Sequence, residues 1–163
     1  MAQRRSAGLV LYRNRADGIS VLLVHPGGPY WAKRDFGAWS IPKGEYPDGG
    51  DPREAALREF EEELGSRPAG TPVPLGEHVQ KGGKHVTAFA AEGDLDPATI
   101  VSNSFEMEWP PRSGRRQSFP EVDRADWFPL DEARRKILAS QVLFLDRLAA
   151  LIRREPAGGR QER

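Results

Sequence analysis

The alternation of apolar and polar residues predicts short β-strands along much of the chain. Two of them, at residues 7–12 and 20–25, flank Asp17-Gly18, a dipeptide typical of hairpin turns. Gly82-Gly83 predicts a second hairpin turn. Further strands are predicted at residues 39–41, 73–80, 85–91 and 125–128.

Helix-terminal signals predict a helix between residues 51 and 65. Asp51 is a candidate N-cap, Pro52 suits the first helical position, and Glu54 completes a capping box with Asp51. Gly65 is the natural stop, because glycine readily adopts the left-handed conformation that ends a helix.

A final helical region follows Asp131, a candidate cap, with apolar residues at helical spacing up to residue 152. Ser140 is a candidate start for a second helix within it. Strands mixed with a few helices predict an α/β protein, arranged as an α/β/α sandwich around a mixed β-sheet. We expect residues 1–152 to form one domain and the polar residues 153–163 to form a flexible tail.

Composition narrows the class of protein. The chain has 163 residues and no cysteine, which excludes disulfides, thiolate zinc sites and cysteine nucleophiles. Lys and Arg equal Asp and Glu at 24 each, so there is no excess positive charge with which to coat duplex nucleic acid. The apolar run near the start is too short for a signal peptide or a membrane helix. We expect a cytoplasmic protein that needs no membrane.

Three glutamates share one face of the predicted helix at residues 51–65. Residues advance by about 100° along a helix, which brings Glu59, Glu62 and Glu63 together and turns Glu61 about 160° away. Two carboxylates about 6 Å apart repel by roughly 3 kcal/mol at an effective dielectric constant near 20. A hard divalent cation, Mg²⁺ or Mn²⁺, would reverse the sign of that interaction. The alternative is a solvated acidic face, with Arg53 and Arg58 relieving the repulsion.

The segment from Gly44 to Ser66 resembles the Nudix box, whose pattern is G-x5-E-x7-R-E-U-x-E-E-x-G-U with U an aliphatic residue. The matching residues, in one register, are Gly44, Arg58, Glu59, Glu62, Glu63 and Gly65. The chain departs from the pattern at Gly50, where the family has a glutamate, and at Ser66, where it has an aliphatic residue. The order of the surrounding elements extends the resemblance to about residues 5–152.

The resemblance implies a Mg²⁺-dependent hydrolase, with Mn²⁺ as an alternative, that cuts a diphosphate linkage in a nucleotide-like small molecule. Nucleoside triphosphates, dinucleoside polyphosphates and nucleoside diphosphate sugars are all candidate substrates, because each contains such a linkage. It implies that Glu59, Glu62 and Glu63 bind the metal, that Arg58 orients them, and that a backbone carbonyl near Gly44 completes the shell. Glu121 is the candidate for a further ligand or base, with an exposed loop glutamate as its alternative.

Two segments outside the box are candidates for substrate contact. Lys43 lies in Ile41-Pro42-Lys43-Gly44-Glu45, which resembles relatives that cleave dinucleoside polyphosphates or diphosphoinositol phosphates, and we predict that it contacts a phosphate. Residues 102–120 are predicted to be a long loop that stacks a base and holds phosphates. Its candidate residues are Trp109, Arg112, Arg115 and Arg116. The alternative is a solvated basic loop with a packed tryptophan.

The sequence is compatible with two functions from different classes, an enzyme and a binding module. The intact glutamates at positions 59, 62 and 63 favour an enzyme. Gly50, which lacks the family's carboxylate, favours a catalytically weak Nudix domain that binds a nucleotide as a sensor or regulatory module. The number of copies in the assembly is left open, a homodimer included.

Overall fold

A six-stranded mixed β-sheet forms the centre of the fold in the computed structural model, which describes residues 4–154. The strands of this sheet are β1 (Arg5–Arg15), β2 (Gly18–Pro26), β3 (Lys43–Tyr46), β4 (Val73–Val79), β5 (His85–Glu92) and β8 (Val122–Pro129). Their order is β4-β5-β1-β2-β8, and β1 runs parallel to β5 and antiparallel to β2. The first residues of β1 pair with β3, and its last residues pair with β2.

Helices cover both faces of this sheet. They are α1 (Pro52–Leu64), α2 (Leu130–Lys136) and α3 (Val142–Arg154). Successive side chains of β1 point to opposite faces, so Leu9 and Leu11 join the core beneath α1, whereas Val10 joins the core beneath α2 and α3. The predicted α/β/α sandwich with a mixed sheet is confirmed.

The predicted ends of α1 are also confirmed. The carboxylate of Asp51 accepts a hydrogen bond from the backbone N–H of Arg53 at 3.0 Å, and Pro52 is the first helical residue. Gly65 has a φ of 91° and donates its backbone N–H to the carbonyl of Glu61 at 2.7 Å. Local signals suffice here because both caps involve residues close in the chain.

The segment before α1 differs from the prediction. Residues 39–41 form only isolated bridges, from Ser40 to Val24 and from Trp39 to Ile137, and the strand in this region is β3 at Lys43–Tyr46. Because β3 has almost no apolar alternation, its strand conformation depends on pairing with the distant β1.

Two predictions for residues 131–154 differ from the structure. Asp131 is not a cap, since α2 starts directly after Pro129 and Asp131 lies in its first turn. The predicted restart is confirmed, because a 3-10 turn at Ala139–Gln141 leads into α3. That helix includes Arg153 and Arg154, so the predicted tail is wrong for these two residues, and residues 155–163 lie outside the described range. Within residues 4–154, no helix has the length and apolar composition needed to cross a bilayer.

The predicted loop at residues 102–120 is a β-hairpin. Its strands, β6 (Ser104–Glu108) and β7 (Arg116–Pro120), form a separate two-stranded sheet. The backbone N–H of Asn103, at its base, donates to the carbonyl of Glu62 in α1 at 3.3 Å. The hairpin is thereby tied to the end of the helix that carries the glutamates.

Candidate active site

The side chain of Glu59 extends from α1 toward β3. Its side chain is only 15% exposed, and its carboxylate occupies the space that a side chain at Gly44 would need. A Cβ atom at Gly44 would overlap with that carboxylate, so this position requires glycine if the helix is to approach the strand so closely. Gly44 and Glu59, two matching residues of the box, are therefore in direct contact.

Arg58 bridges the glutamates on its helix. Its guanidinium donates to Glu59 at 3.3 Å and lies 3.7 Å from the carboxylate of Glu62. It also reaches the backbone carbonyl of Glu45 at 3.5 Å, which connects α1 to β3. Because the arginine is half exposed, these contacts contribute more to the orientation of the carboxylates than to folding stability.

Glu63 is the most strongly perturbed acid in the site. Burial raises the pKa of its carboxyl to about 8, and repulsion from Glu59 and Glu121 acts in the same direction, opposed by attraction to Lys43. Burial also raises the pKa of Glu59. The pKa of Lys43 is lowered, first by its own burial and then by the neighbouring charge of Lys84. Carboxylates and the ammonium group of Lys43 thus face each other in a poorly solvated place.

A cleft of about 230 Å³ opens beside this group, and we call it the carboxylate cleft. Lys43, Glu63 and Glu121 are its charged lining residues, and Trp31 and Ile41 form part of its apolar wall. Glu121 is exposed at the mouth of the cleft, between β7 and β8. Its backbone is fixed, since its N–H donates to Asn103 at 2.7 Å and its carbonyl accepts from Gly27 at 3.0 Å.

The donor set around the cleft fits a hard divalent cation. Across the described residues, no group of three or more acidic or histidine side chains is already arranged to hold an ion. The charges of Glu62 and Glu121 nevertheless lie close enough to raise the pKa values of Glu59 and Glu63, and the cations that oppose them are Arg58 and Lys43. All the donors are carboxylate oxygens, which suit Mg²⁺ and Mn²⁺ better than softer metals.

Glu61 occupies the opposite side of α1. Its side chain is 51% exposed and accepts a hydrogen bond from Arg67 at 2.9 Å. This placement confirms the predicted helical phase, in which Glu61 alone points away from the other three glutamates.

The acidic residues near Gly50 have partners elsewhere. Glu45 pairs with Arg4 at 2.7 Å, Asp48 pairs with Arg5 at 3.1 Å, and Asp51 caps α1. None of these contacts directs a carboxylate toward the α1 glutamates, so none replaces the glutamate that the Nudix pattern has at position 50. The positive φ of this turn, 86°, belongs to Gly49 rather than to Gly50.

The predicted substrate residues fall into two groups. Lys43 lines the carboxylate cleft, as described. Trp109 directly follows β6 and packs edge-to-face on Tyr30 with ring centroids 5.3 Å apart. Arg112, Arg115 and Arg116 are exposed at the far end of the hairpin, where Arg116 lies 3.4 Å from Glu106. None of these three arginines lines the carboxylate cleft. Arg112, Arg115 and Arg116 stay a prediction as phosphate contacts.

A second cleft, missed by the sequence analysis, adjoins the first. It measures about 460 Å³ and is lined by residues 26–31, Phe105, Met107 and Glu121. We call it the aromatic slot, because Tyr30, Trp31 and Phe105 form much of its wall. It shares Pro26, Trp31 and Glu121 with the carboxylate cleft. The alternation of apolar and acidic residues in Phe105-Glu106-Met107-Glu108 was the available signal for β6 and its inward-facing side chains.

Comparison with known proteins connects this geometry to a family. The structure of a C. elegans Ap4A hydrolase in a binary complex is similar, with a TM-score of 0.63 and 25% identity over 92% of this chain and 98% of that one. The Nudix domain of Shewanella oneidensis NrtR, complexed with ADP ribose, has a TM-score of 0.61 and 17% identity over 93% of this chain and 90% of that one. The E. coli ORF135 protein has a TM-score of 0.61 and 19% identity over 96% of each chain.

The family model described as the NUDIX domain matches residues 2–148, most of the chain. That span includes β3, α1 and all the residues around the carboxylate cleft. The chain belongs to the Nudix family.

Proposed function

We propose that this Nudix pyrophosphohydrolase uses Mg²⁺ to hydrolyse a diphosphate linkage in a nucleotide-like small molecule. One observation carries the proposal: Glu59 and Glu63 are held at the junction of α1 and β3, beside a cleft that also contains Lys43 and Glu121. Nudix hydrolases in general use divalent metal ions. A nucleoside triphosphate, a dinucleoside polyphosphate and a nucleoside diphosphate sugar all contain the required linkage.

The residues that would hold the metal are Glu59, Glu62 and Glu63, with the backbone carbonyl of Gly44 and the side chain of Glu121 as further donors. An all-oxygen set favours Mg²⁺, with Mn²⁺ as the alternative. When bound, such an ion neutralises phosphate charge and lowers the pKa of a coordinated water. Arg58 fixes the directions of Glu59 and Glu62 through its two contacts.

Two other side chains act on the substrate itself. Lys43 places an ammonium group in the cleft, where it binds a phosphate oxygen by charge attraction. Glu121, at the mouth, either adds a ligand or accepts the proton of the attacking water. Hydrolysis breaks one phosphorus–oxygen bond of the anhydride and gives two phosphate-bearing products.

The relatives support a nucleotide-like substrate without selecting one. The C. elegans protein is an Ap4A hydrolase, and the Shewanella domain was crystallised with ADP ribose. Both small molecules join phosphate groups through an anhydride and carry an adenosine. The shared fold is the reason to test such compounds first.

A substrate panel tests the proposal. The protein is incubated with Mg²⁺ or Mn²⁺ and with nucleoside triphosphates, dinucleoside polyphosphates and nucleoside diphosphate sugars, and the products are identified by mass spectrometry. We expect cleavage at an anhydride that disappears with a chelator and in Glu63→Gln, while Glu61→Gln serves as the matched control. Absence of turnover on the whole panel would contradict the enzymatic function.

Gly50 favours a second candidate function, a nucleotide-binding sensor or regulatory domain with weak catalysis, because the family's first box glutamate is missing. Calorimetric titration of the same panel separates the two functions. Micromolar binding of a compound that is not hydrolysed with either metal supports the sensor, whereas turnover of the tightest ligand supports the enzyme.

A further inference from the structure

We propose that His25 is a positioning residue of the carboxylate cleft, an imidazolium whose two N–H groups hold the loop at residues 28–37 and the start of β8 in fixed places. This inference rests on the proposed function, since it concerns how the residues around that site are held. His25 lies near the end of β2 and has no exposed surface.

Both ring nitrogens of His25 face hydrogen-bond acceptors. Nδ1 lies 2.9 Å from a carboxylate oxygen of Asp123, and Nε2 lies 2.6 Å from the backbone carbonyl of Arg34. A neutral imidazole has one N–H and can donate to only one of these acceptors, whereas an imidazolium donates to both. Because the ring is fully buried, leaving either contact unmade is costly. The geometry therefore fits the protonated ring, with Asp123 as its counter-ion.

A β-bulge directs Asp123 toward the ring. His25 pairs with Arg124, but the next residue, Pro26, pairs with Val122, so β8 has one residue more than β2 at this step. That extra residue is Asp123. Regular strands send neighbouring side chains to opposite faces, and a bulge changes those directions locally. The irregular register therefore allows Asp123 to reach a ring whose partner in the ladder is Arg124.

Other charged groups approach the histidine through Trp39. The Trp39 ring packs edge-to-face on the imidazole with centroids 5.1 Å apart, and the guanidinium of Arg124 lies 5.1 Å from the Trp39 centroid. The indole N–H donates to Asp35, which pairs with Lys136 at 2.6 Å. Asp35 and Lys136 balance each other, and Arg124 disfavours a second cation nearby. Asp123 is therefore the group that stabilises the imidazolium.

The contact with Arg34 fixes one lining residue of the carboxylate cleft. The backbone N–H of Arg34 donates to the carbonyl of Trp31 at 2.9 Å, and its guanidinium lies 5.6 Å from the centroid of the Trp31 ring. Trp31 forms part of the cleft wall. By holding the Arg34 carbonyl, the imidazolium holds the turn that positions Trp31.

The contact with Asp123 fixes the segment that carries Glu121. Glu121 lies two residues before Asp123, and its carbonyl accepts a hydrogen bond from the N–H of Gly27, two residues after the histidine, at 3.0 Å. A Cβ at Gly27 would lie 1.9 Å from the carbonyl oxygen of Pro120, so the two backbones are in direct contact. One buried ring thus joins two segments that line the cleft.

Nitrogen NMR tests the protonation of the ring in the metal-free protein, independently of hydrolysis. Histidine is labelled with nitrogen-15, and the His25 signals are identified by their absence in His25→Asn. We expect both ring nitrogens of His25 to be protonated near neutral pH. A neutral ring with one protonated nitrogen overturns the proposal.

Two amide variants separate the two contacts. The side-chain nitrogen of asparagine can replace Nδ1, so His25→Asn keeps the donor to Asp123 and loses the donor to Arg34. The nitrogen of glutamine can replace Nε2, so His25→Gln does the reverse. We expect backbone amide exchange of residues 28–37 to rise at least about fivefold in His25→Asn and to change less than about twofold in His25→Gln. Equal exchange in the wild type and His25→Asn overturns the proposal.

Kinetics connects these contacts to the site. In His25→Asn, KM for the best substrate should rise roughly fivefold with kcat little changed, because the loop that carries Trp31 is released. In His25→Gln, kcat should fall roughly fivefold with KM little changed, because the segment that carries Glu121 is released. A role in folding alone would give the two variants the same pattern.

His85→Gln is the matched control. Its Nδ1 also lies 2.9 Å from a carboxylate, that of Glu77, but His85 does not line the carboxylate cleft. We expect wild-type kcat and KM in this variant. Wild-type kinetics in both His25 variants overturn the positioning role and leave the hydrolase standing. A protonated His25 that protects the loop, in a protein that hydrolyses no anhydride, leaves both contacts of the ring standing and overturns the hydrolase.

Discussion

Helix α1 carries glutamates on two sides, and the two sides have different properties. Glu63 is largely buried beside the carboxylate cleft, and burial together with Glu59 and Glu121 raises its pKa to about 8. Glu61, two positions earlier, is half exposed and paired with Arg67. The same side chain on the same helix is therefore buried beside other carboxylates in one case and solvated in the other.

The difference follows from helical phase and from the surface that each side of the helix faces. The side with Glu59 and Glu63 packs toward β3, where Gly44 leaves room for a carboxylate, whereas the side with Glu61 meets solvent. A count of acidic residues therefore says little about function until the packing of each residue is known.

Glu63→Gln should have the largest effect, lowering turnover by at least about 100-fold while the fold remains intact. The substitution keeps the size of the side chain and removes the charge from the cleft. Steady-state kinetics on the best substrate and circular dichroism would measure both consequences. Turnover close to that of the wild type would remove Glu63 from the proposed metal site.

Gly44→Ala should lower kcat by more than about tenfold and reduce the free energy of unfolding by roughly 1–3 kcal/mol. The added methyl group needs the space of the Glu59 carboxylate, so either the helix or that side chain must move. Kinetics and chemical denaturation would be measured together. Normal values of both would show that the contact between Gly44 and Glu59 is not tight in solution.

The stability of the metal-free protein should fall as pH rises from about 5 to 8. Glu63 has a higher pKa in the folded state than the ordinary value of 4.5, so the native state binds more protons than the unfolded state in this window. The loss should be on the order of 3–4 kcal/mol by urea denaturation in a chelator. Glu63→Gln should flatten the slope, and so should saturating Mg²⁺. A slope that is the same in all three samples would contradict this origin.

Gly50→Glu should maintain or increase kcat, because it restores the carboxylate that the Nudix pattern has at this position. Gly50 does not have a positive φ, so the backbone tolerates the change, but its Cβ would lie 3.0 Å from the carbonyl of Pro47. We therefore expect a small fall in Tm alongside the kinetic result. A loss of activity with an unchanged Tm would show that the site has adapted to glycine.

Glu61→Gln should have the smallest effect, with kcat and Mg²⁺ dependence unchanged and Tm shifted by less than about 2 °C. Its carboxylate points away from the cleft and pairs with a solvated arginine. Glu59→Gln is the companion variant, and its Mg²⁺ titration should shift to higher concentration. Greater damage in Glu61→Gln than in Glu59→Gln would reverse the assignment of the two sides.

The regions that sequence predicted well are those in which local interactions decide the structure. The caps of α1 involve Asp51, Pro52 and Gly65, all within or next to the helix, and the apolar stripe of Phe60 and Leu64 fixes which side is buried. The convergence of Glu59 and Glu63 followed from the same periodicity. The contact between Glu59 and Gly44 could be expected only from the family resemblance, because no spacing rule joins a strand to a helix.

The regions that sequence predicted poorly depend on distant partners. β3 has no apolar alternation, and its pairing with β1 joins residues about forty positions apart. The aromatic slot forms where residues 26–31 meet Phe105 and Met107. The sequence of either segment alone does not predict that the two segments are neighbours. The hairpin is hard to predict for another reason: the alternation in β6 covers only five residues, too few to distinguish a strand from a loop.

The hairpin of β6 and β7 leaves the main body and returns to it at one place, where the N–H of Glu121 donates to the carbonyl of Asn103. Residues 104–120 therefore form a closed loop whose ladder is internal to itself. Chain can be added or removed at the tip without changing the register of the central sheet. The hairpin side of the aromatic slot, formed by Phe105 and Met107, therefore lies on a segment whose length can change independently, whereas the glutamates of α1 lie on a helix packed against the central sheet.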